Sequence, residues 1–293
     1  MHKLTYYLAY PIVWLFSKLP FRVLYTISDG IYLLFFYIIG YRKIVVLDNL
    51  KMAYPNKKEA ELLDIRKLFF RHFIDTLIES IKAITISEKS ILKRYRYKNP
   101  ELIDQLHKEG KSIILVGAHY ANWEWVVGMP LSTQIDCYTS YTKIQNKKFE
   151  NLIKTSRSKF GMTCLKSTEI IKGIVKNVKQ QKQGLYLLVS DQSPQIQKNQ
   201  YWTEFLNVKV PIFTGAEMIS KKFDFAVVNM NTSKTKRGYY ESEFELITSA
   251  PNELEKNEIT NAYLKITEKH IHTQPEFYLW SHKRFKHKDK VPT

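Results

Sequence analysis

Apolar residues dominate the first forty positions of the chain, and beyond them they break into short periodic segments. Residues 4–17 read LTYYLAYPIVWLFS and residues 23–41 read VLYTISDGIYLLFFYIIGY. The second run holds 19 residues, and its one charge is Asp29. A helix needs about 20 apolar residues to cross the hydrocarbon core, so this run predicts either a span or a helix lying in the interface. A charge at the centre of a span would cost about 2.5–3.5 kcal/mol, but Asp29 lies nearer one end. Tyr6, Tyr7, Tyr10, Trp14, Tyr25, Tyr32, Tyr37 and Tyr41 supply amphipathic rings of the kind favoured at membrane surfaces. Arg22 on one flank and Arg42 with Lys43 on the other leave the orientation open. No small-residue cleavage site follows, so a removed signal peptide is not expected. A buried pair of core helices is the alternative.

Residues 59–84 carry Leu62, Ile65, Phe69, Phe73, Leu77, Ile81 and Ile84 at helical spacing, which predicts one buried stripe. Asn99-Pro100 reads as a helix start, and Gly110 as the residue just past the end of that helix. Residues 112–116 then form a continuous apolar run of strand length, as in a parallel sheet covered on both faces. The chain turns at Gly117-Ala118-His119 and is expected to enter a helix near Asn122. Strands are predicted at 136–141, 162–165, 185–190 and 225–230, with an edge strand at 239–247. Helices are predicted at 147–160, from a Ser167 or Thr168 cap to about Gln181 with Gly184 as its end, and at 253–272. This alternation implies an α/β fold: a partly parallel central sheet flanked by helices, preceded by a hydrophobic membrane-anchoring helical segment. The expected division is an anchor over residues 1–43 and an α/β domain over 44–293. Ligands of such sheets bind beyond the carboxyl ends of the strands, so the loops at His119 and Asp191 stand out.

Composition narrows the class. Two cysteines in 293 residues exclude a disulfide framework and a cysteine-built zinc site. The net charge is +17. Residues 143–182 hold eleven bases against Glu150 and Glu169, and a second basic cluster covers Lys283, Arg284, Lys286, Lys288 and Lys290. Such patches attract polyanions: nucleic acid, anionic lipid or an acidic carrier protein. A solvated helix face is the plainer reading of each lysine. No zinc-finger spacing, basic zipper or RNA-binding aromatic motif accompanies the charge, so a nucleic-acid-binding protein is the weaker alternative.

The chemistry concentrates in Gly117-Ala118-His119-Tyr120-Ala121-Asn122-Trp123-Glu124-Trp125. Histidine shuttles protons near neutral pH, and a carboxylate on one ring nitrogen fixes its tautomer. No Gly-x-Ser-x-Gly elbow supplies an enzyme nucleophile. A His/carboxylate pair then suits direct transfer, in which the base activates the acceptor's hydroxyl. Spacing alone leaves other readings open: a core histidine bonded to backbone, a surface glutamate, or a metal pair. The last of these lacks HExxH and an obvious third ligand.

His119-x4-Glu124 after an apolar strand resembles the signature of the lysophospholipid acyltransferase superfamily. The remainder is similar to its bacterial lipid A biosynthesis (late, or secondary) acyltransferase branch. Tyr141 to Asn146, Arg157-Ser-Lys-Phe-Gly161, Val189-Ser-Asp191-Gln192 and Phe205 through Gly215 match that branch in order. Residues 275–286, from Pro275 to Lys286, resemble its C-terminal signature. The resemblance implies a membrane-bound O-acyltransferase with no cofactor or metal. It would take a fatty acyl chain from acyl carrier protein to a hydroxyl of lipid A or its precursor, at the cytoplasmic face of the inner membrane. It implies His119 as general base oriented by Glu124, with substrate contacts at Arg157, Asp191, Asn122, Lys143, Asn146 and Gln192. One departure is visible: the branch's Tyr-Arg is Tyr141-Thr142 here, followed by Lys143. Lysine keeps a charge but not the guanidinium's bidentate fork. Another acceptor therefore stays open: an aminoacyl lipid, a glycerophospholipid or an aryl-polyene.

Overall fold

The computed structural model describes residues 2–197 and 200–292. Two apolar helices come first: α1 (His2–Lys18) and α2 (Phe21–Leu33), the latter continuing as a π-helical turn over Leu34–Ile39. Gly40, at φ +68°, ends that turn. Then follow α3 (Lys43–Ala53), α4 (Glu59–Lys82), α5 (Glu88–Arg94), β1 (Tyr95–Tyr97) and α6 (Glu101–Lys108). The central segments are β2 (Ile113–Gly117), β3 (Cys137–Tyr141), α7 (Lys147–Ser158), β4 (Thr163–Lys166), α8 (Ile170–Lys179) and β5 (Leu185–Val189). The rest comprises the hairpin β6 (Trp202–Phe205) and β7 (Val208–Pro211), α9 (Gly215–Phe223), β8 (Ala226–Lys236), β9 (Tyr239–Thr248) and α10 (Glu258–Thr273).

Seven strands form one sheet in the order β1-β9-β8-β2-β5-β3-β4. Every pairing in it is parallel except β8 with β9. β2 lies at the centre and is buried at all five positions, as a parallel strand covered on both faces requires. The α/β expectation therefore holds, and most element positions agree with it. β9 is not an edge: the three-residue β1 covers it. The helix expected near Asn122 is a 3₁₀ turn over Trp125–Leu131, which contains Pro130. Asn99 does not cap α6. Its side chain brackets Phe244, donating to the carbonyl and accepting from the N–H at 2.8 Å each. Gly184 is not the end of α8; Gln181 takes the left-handed conformation there, at φ +53°.

The stripe of α4 changes character along its length. Leu62, Phe69, Phe70, Ile74 and Ile78 are buried, while Leu77 is exposed. Towards its C-terminal end the buried face also carries His72, Asp75, Thr76 and Glu79. Buried polar groups are costly unless hydrogen-bonded; His72, Asp75 and Glu79 have partners in α2, β8, β9 or the loop after β2, and Thr76 donates back to the His72 carbonyl.

Leu24, Tyr32 and Phe36 belong to the same buried cluster as the sheet. Ser28 donates to Asp75 at 2.7 Å, and Arg237 reaches both Asp29 and Asp75, at 2.8 and 2.7 Å. Asp29, unfavourable for a membrane when read from sequence, is thus an ion-pair partner. The opposite faces of α1 and α2 are bare: Leu8, Ile12, Leu15, Leu33, Ile38 and Ile39 are all more than half exposed. Phe21–Ile39 is long and apolar enough to cross a membrane, and 22% of it is buried against the protein.

Candidate active site

β2 and β5 are neighbours in register, with Gly117 opposite Val189. Their following loops therefore leave the same edge of the sheet side by side. One carries His119 and the other Ser190, Asp191 and Gln192. His119 Nδ1 lies 2.7 Å from Asp191 Oδ1. An ionised carboxylate accepts only, so the proton sits on Nδ1 and the Nε2 lone pair is left for chemistry. Gln192 Nε2 stands 3.3 Å from that nitrogen and donates to it. The Trp123 ring packs edge-on against the imidazole at 5.4 Å.

Asp191 is almost wholly buried, and His119 keeps about a fifth of its side chain exposed. Burial opposes the imidazolium, but the Asp191 charge and hydrogen bond outweigh it, Glu124 adds to them, and the His119 pKa stands above its ordinary value. Burial likewise raises Asp191, and His119 more than compensates, so the carboxyl stays below its ordinary value. The arrangement holds the imidazole in one tautomer beside an ionised carboxylate.

Glu124 goes elsewhere. Ala121 adopts φ +51° and donates its N–H to the Phe277 carbonyl, and Asn122 Oδ1 then accepts from the N–H groups of Glu124 and Trp125 at 3.1 and 2.9 Å. This turn delivers the Glu124 carboxylate to Arg157 near the end of α7. Arg157 Nη2 meets Oε1 at 2.7 Å and Oε2 at 2.9 Å, with Nε at 3.2 Å from Oε2. The carboxylate that holds His119 is Asp191, not Glu124, because five residues around this turn point the two side chains to different walls.

His119, Glu124, Arg157 and Gln192 all line one cavity of about 800 Å³. Its other walls are largely apolar and include Val127, Ile153, Ile170, Leu187, Phe213 and Ile219. Such a space suits an alkyl chain presented to a polar end. The remaining expected contacts fall outside it. Asn122 is fully buried, with Nδ2 donating to Glu79 at 2.6 Å. Asn146 caps α7, accepting from the N–H of Lys148 and of Phe149. Lys143 is exposed, while its neighbours Thr142 and Ile144 line the wall.

The segment 275–285 braces both loops. The Leu279 N–H donates to the His119 carbonyl at 3.1 Å, Tyr120 and Tyr278 form an antiparallel bridge, and His282 Nε2 accepts from the Ser193 N–H at 3.1 Å. Accepting that bond requires neutral His282, and burial holds its pKa down to about 4. From the other side, Asn49 on α3 donates to the Trp280 and His282 carbonyls. The spacing of His282 and Asn49 along the chain gave no sign of these roles. No group of three or more His, Cys, Asp or Glu side chains that could hold a metal occurs among the described residues.

The profile of a family described as bacterial lipid A biosynthesis acyltransferase matches residues 1–287. The chain belongs to that family. It is 24% identical to a lipid A biosynthesis lauroyltransferase of Escherichia coli K12, over 96% of this chain and 90% of that one. It is 21% identical to a lipid A biosynthesis palmitoleoyltransferase of the same organism and to a lipid A biosynthesis acyltransferase of Shigella flexneri. Each of these alignments covers 94% of this chain and 89% of the relative. The protein is an acyltransferase of this class. Its apolar N-terminal helix and its family membership together support membrane association.

Proposed function

We propose that this acyltransferase moves a fatty acyl chain from the thioester of an acyl carrier protein to a hydroxyl of lipid A or its precursor, with His119 as general base. The observation that carries the reading is the bonded His119–Asp191 pair, with its unprotonated Nε2, which accepts from Gln192, at the wall of a largely apolar cavity. In the proposed step His119 Nε2 takes the proton of the acceptor hydroxyl as its oxygen bonds to the thioester carbonyl carbon. The tetrahedral intermediate then expels the carrier thiolate, and the imidazolium returns the proton to sulfur. Asp191 stabilises the imidazolium that forms in between. Arg157, held in plane by Glu124, offers a guanidinium to a phosphate or to the developing oxyanion. Gln192 gives up its contact to Nε2 when the acceptor hydroxyl arrives.

The lysines of α7 and α8 give an acidic carrier or anionic lipid headgroups a surface of opposite charge. The exposed faces of α1 and α2 are proposed to seat residues 1–43 in the cytoplasmic leaflet of the inner membrane, with the remainder as the catalytic body. A second reading keeps the chemistry and changes the acceptor. It is favoured by Thr142, which stands where the branch carries arginine, and by the exposed position of the neighbouring Lys143. The test is transfer from dodecanoyl acyl carrier protein to a tetra-acylated lipid A precursor in mixed micelles, alongside mass spectrometry of lipids from a deletion strain. An added acyl chain on the precursor, lost in His119→Ala, is expected. Full turnover in that variant removes His119 as base, and an unaltered lipid A with another lipid depleted transfers the reading to that acceptor.

A further inference from the structure

Behind the catalytic turn lies a buried carboxyl that the chemistry does not use. Glu79 on α4 is 1% exposed. Its Oε1 accepts from the Tyr25 hydroxyl of α2 at 2.7 Å. Its Oε2 accepts from Asn122 Nδ2 at 2.6 Å and from the Tyr240 hydroxyl of β9 at 2.8 Å. Its backbone carbonyl accepts from the Trp125 indole at 3.0 Å. Asn122, so oriented, turns its Oδ1 to the N–H groups of Glu124 and Trp125. Seven residues earlier, on the same face of the helix, His72 Nε2 donates to the Ala121 carbonyl at 3.1 Å while its Nδ1 accepts from Lys234. Two successive residues of the turn, Ala121 and Asn122, are thus held from α4.

A carboxyl in the core is costly to desolvate, and a leucine there would pack without that cost. Here its bonds run to the loop that carries His119 and Glu124, and to the helix with the bare apolar face. We propose that Glu79 is a positioning residue of the acyl-transfer site: through Asn122 it sets the backbone between His119 and Glu124, and through Tyr25 it ties that backbone to the N-terminal helix. The proposal rests on the reading of His119 as base. Substrate is held by the cavity wall and the reacting atoms by the turn, so loss of the Glu79–Asn122 bond acts on kcat rather than on donor KM.

The experiment uses the full chain in mixed micelles with dodecanoyl acyl carrier protein and a tetra-acylated lipid A precursor. Glu79→Leu and Asn122→Leu should each lower kcat by about 10–100-fold, the value of a buried hydrogen bond to a carboxyl, with donor KM within about twofold. The double leucine variant should be no slower than the worse single one, because both remove the same link. In Glu79→Gln combined with Asn122→Asp the donor and acceptor change places. The glutamine amide donates to the new carboxylate, which still accepts from the Glu124 and Trp125 N–H groups. That variant should regain most of the lost kcat. Multiplying losses in the double leucine variant, or a reversed pair no faster than Asn122→Leu, would overturn the proposal. Should the leucine variants lack a cooperative melt, Tyr25→Phe decides instead: it removes one donor from Glu79, is expected to lower kcat by about fivefold, and an unchanged kcat refutes the link. His119→Ala is run in parallel, so that failure of the base assignment is read from its own turnover.

Discussion

Replacing Asp191 by Asn separates the two carboxylates near His119. The substitution is nearly isosteric and removes one charge from a position that is almost fully buried. The 2.7 Å bond it weakens joins an ionised acceptor to the imidazole N–H. Such bonds are worth about 1.5–3 kcal/mol, or about one to two pKa units at 1.36 kcal/mol each. With the anion gone, the burial of His119 is opposed chiefly by Glu124, so its pKa moves from above its ordinary value to below it. A base works in its neutral form, so activity rises with pH through the His119 pKa. In Asp191→Asn this acid limb should therefore move to lower pH by about one to two units. The plateau should fall by about 10²–10⁴-fold, because an asparagine amide can face Nδ1 and push the proton onto Nε2. Glu124→Gln leaves the bond intact and should shift the limb by no more than about half a unit. Initial rates at saturating donor, measured from about pH 5 to 9, give both quantities. An unmoved limb and near-normal plateau in Asp191→Asn, with a displaced limb in Glu124→Gln, would mean that Glu124 serves the histidine in the working enzyme.

The same pair predicts a stability window. Asp191 contributes above its unfolded pKa and loses that contribution as pH falls through its depressed folded value. His119 contributes fully below its unfolded pKa and loses that contribution as pH rises through its raised folded value. The Tm gap between the wild-type protein and Asp191→Asn should thus be widest at about pH 4–6.5 and narrow above it; a gap that grows towards alkaline pH refutes the coupling. Arg157→Lys should cut turnover by about tenfold, since the planar fork against Glu124 is lost, while the exposed Lys154→Ala should slow encounter only at limiting carrier and low salt. Lys159→Ala should instead lower Tm, because its ammonium donates to the Ile84 and Ile86 carbonyls; kinetics alike in all three would make Arg157 part of a general patch. Arg237→Ala should destabilise by about 1–3 kcal/mol, because Asp75 keeps Ser28 at 2.7 Å and Lys234 at 3.6 Å, and denaturant melts report it. Ile12→Glu with Ile38→Glu should release the folded protein from anionic vesicles, whereas deletion up to Lys43 should also unfold it, because Leu24, Tyr32 and Phe36 leave the core.

Local pattern carried much of this fold. The strands at 113–117 and 185–189 are continuous apolar runs, and their lengths and parallel pairing follow from burial on both faces. The β6–β7 hairpin escaped notice because its two-residue turn is Leu206-Asn207, both at positive φ, and leucine is not a turn residue. Leu206 is 1% exposed, so burial there outweighs backbone preference. β1 is three residues long and gives no period to detect. At the site, His119, Glu124, Arg157, Asp191 and Gln192 could be picked out in advance, but not their pairing. That depends on β5 lying next to β2, a long-range choice that spacing does not encode. The resemblance implied substrate contacts at Asn122 and Asn146; in the structure Asn122 bonds to Glu79 and to the N–H groups of its own turn, and Asn146 accepts from the first N–H groups of α7.

The brace formed by residues 275–285 has a consequence in time. Translation runs at about 5–20 residues per second, so α1 and α2 precede this segment by an interval on the order of tens of seconds. During that interval the sheet can assemble up to β9, but the turn around His119 lacks its bonds to Phe277 and Leu279. The apolar helices can thus reach a lipid surface while the histidine is still loosely held. On the proposed reading, the turn around His119 therefore acquires its final geometry only when residues 275–285 have been made, after the apolar helices have had the opportunity to meet lipid.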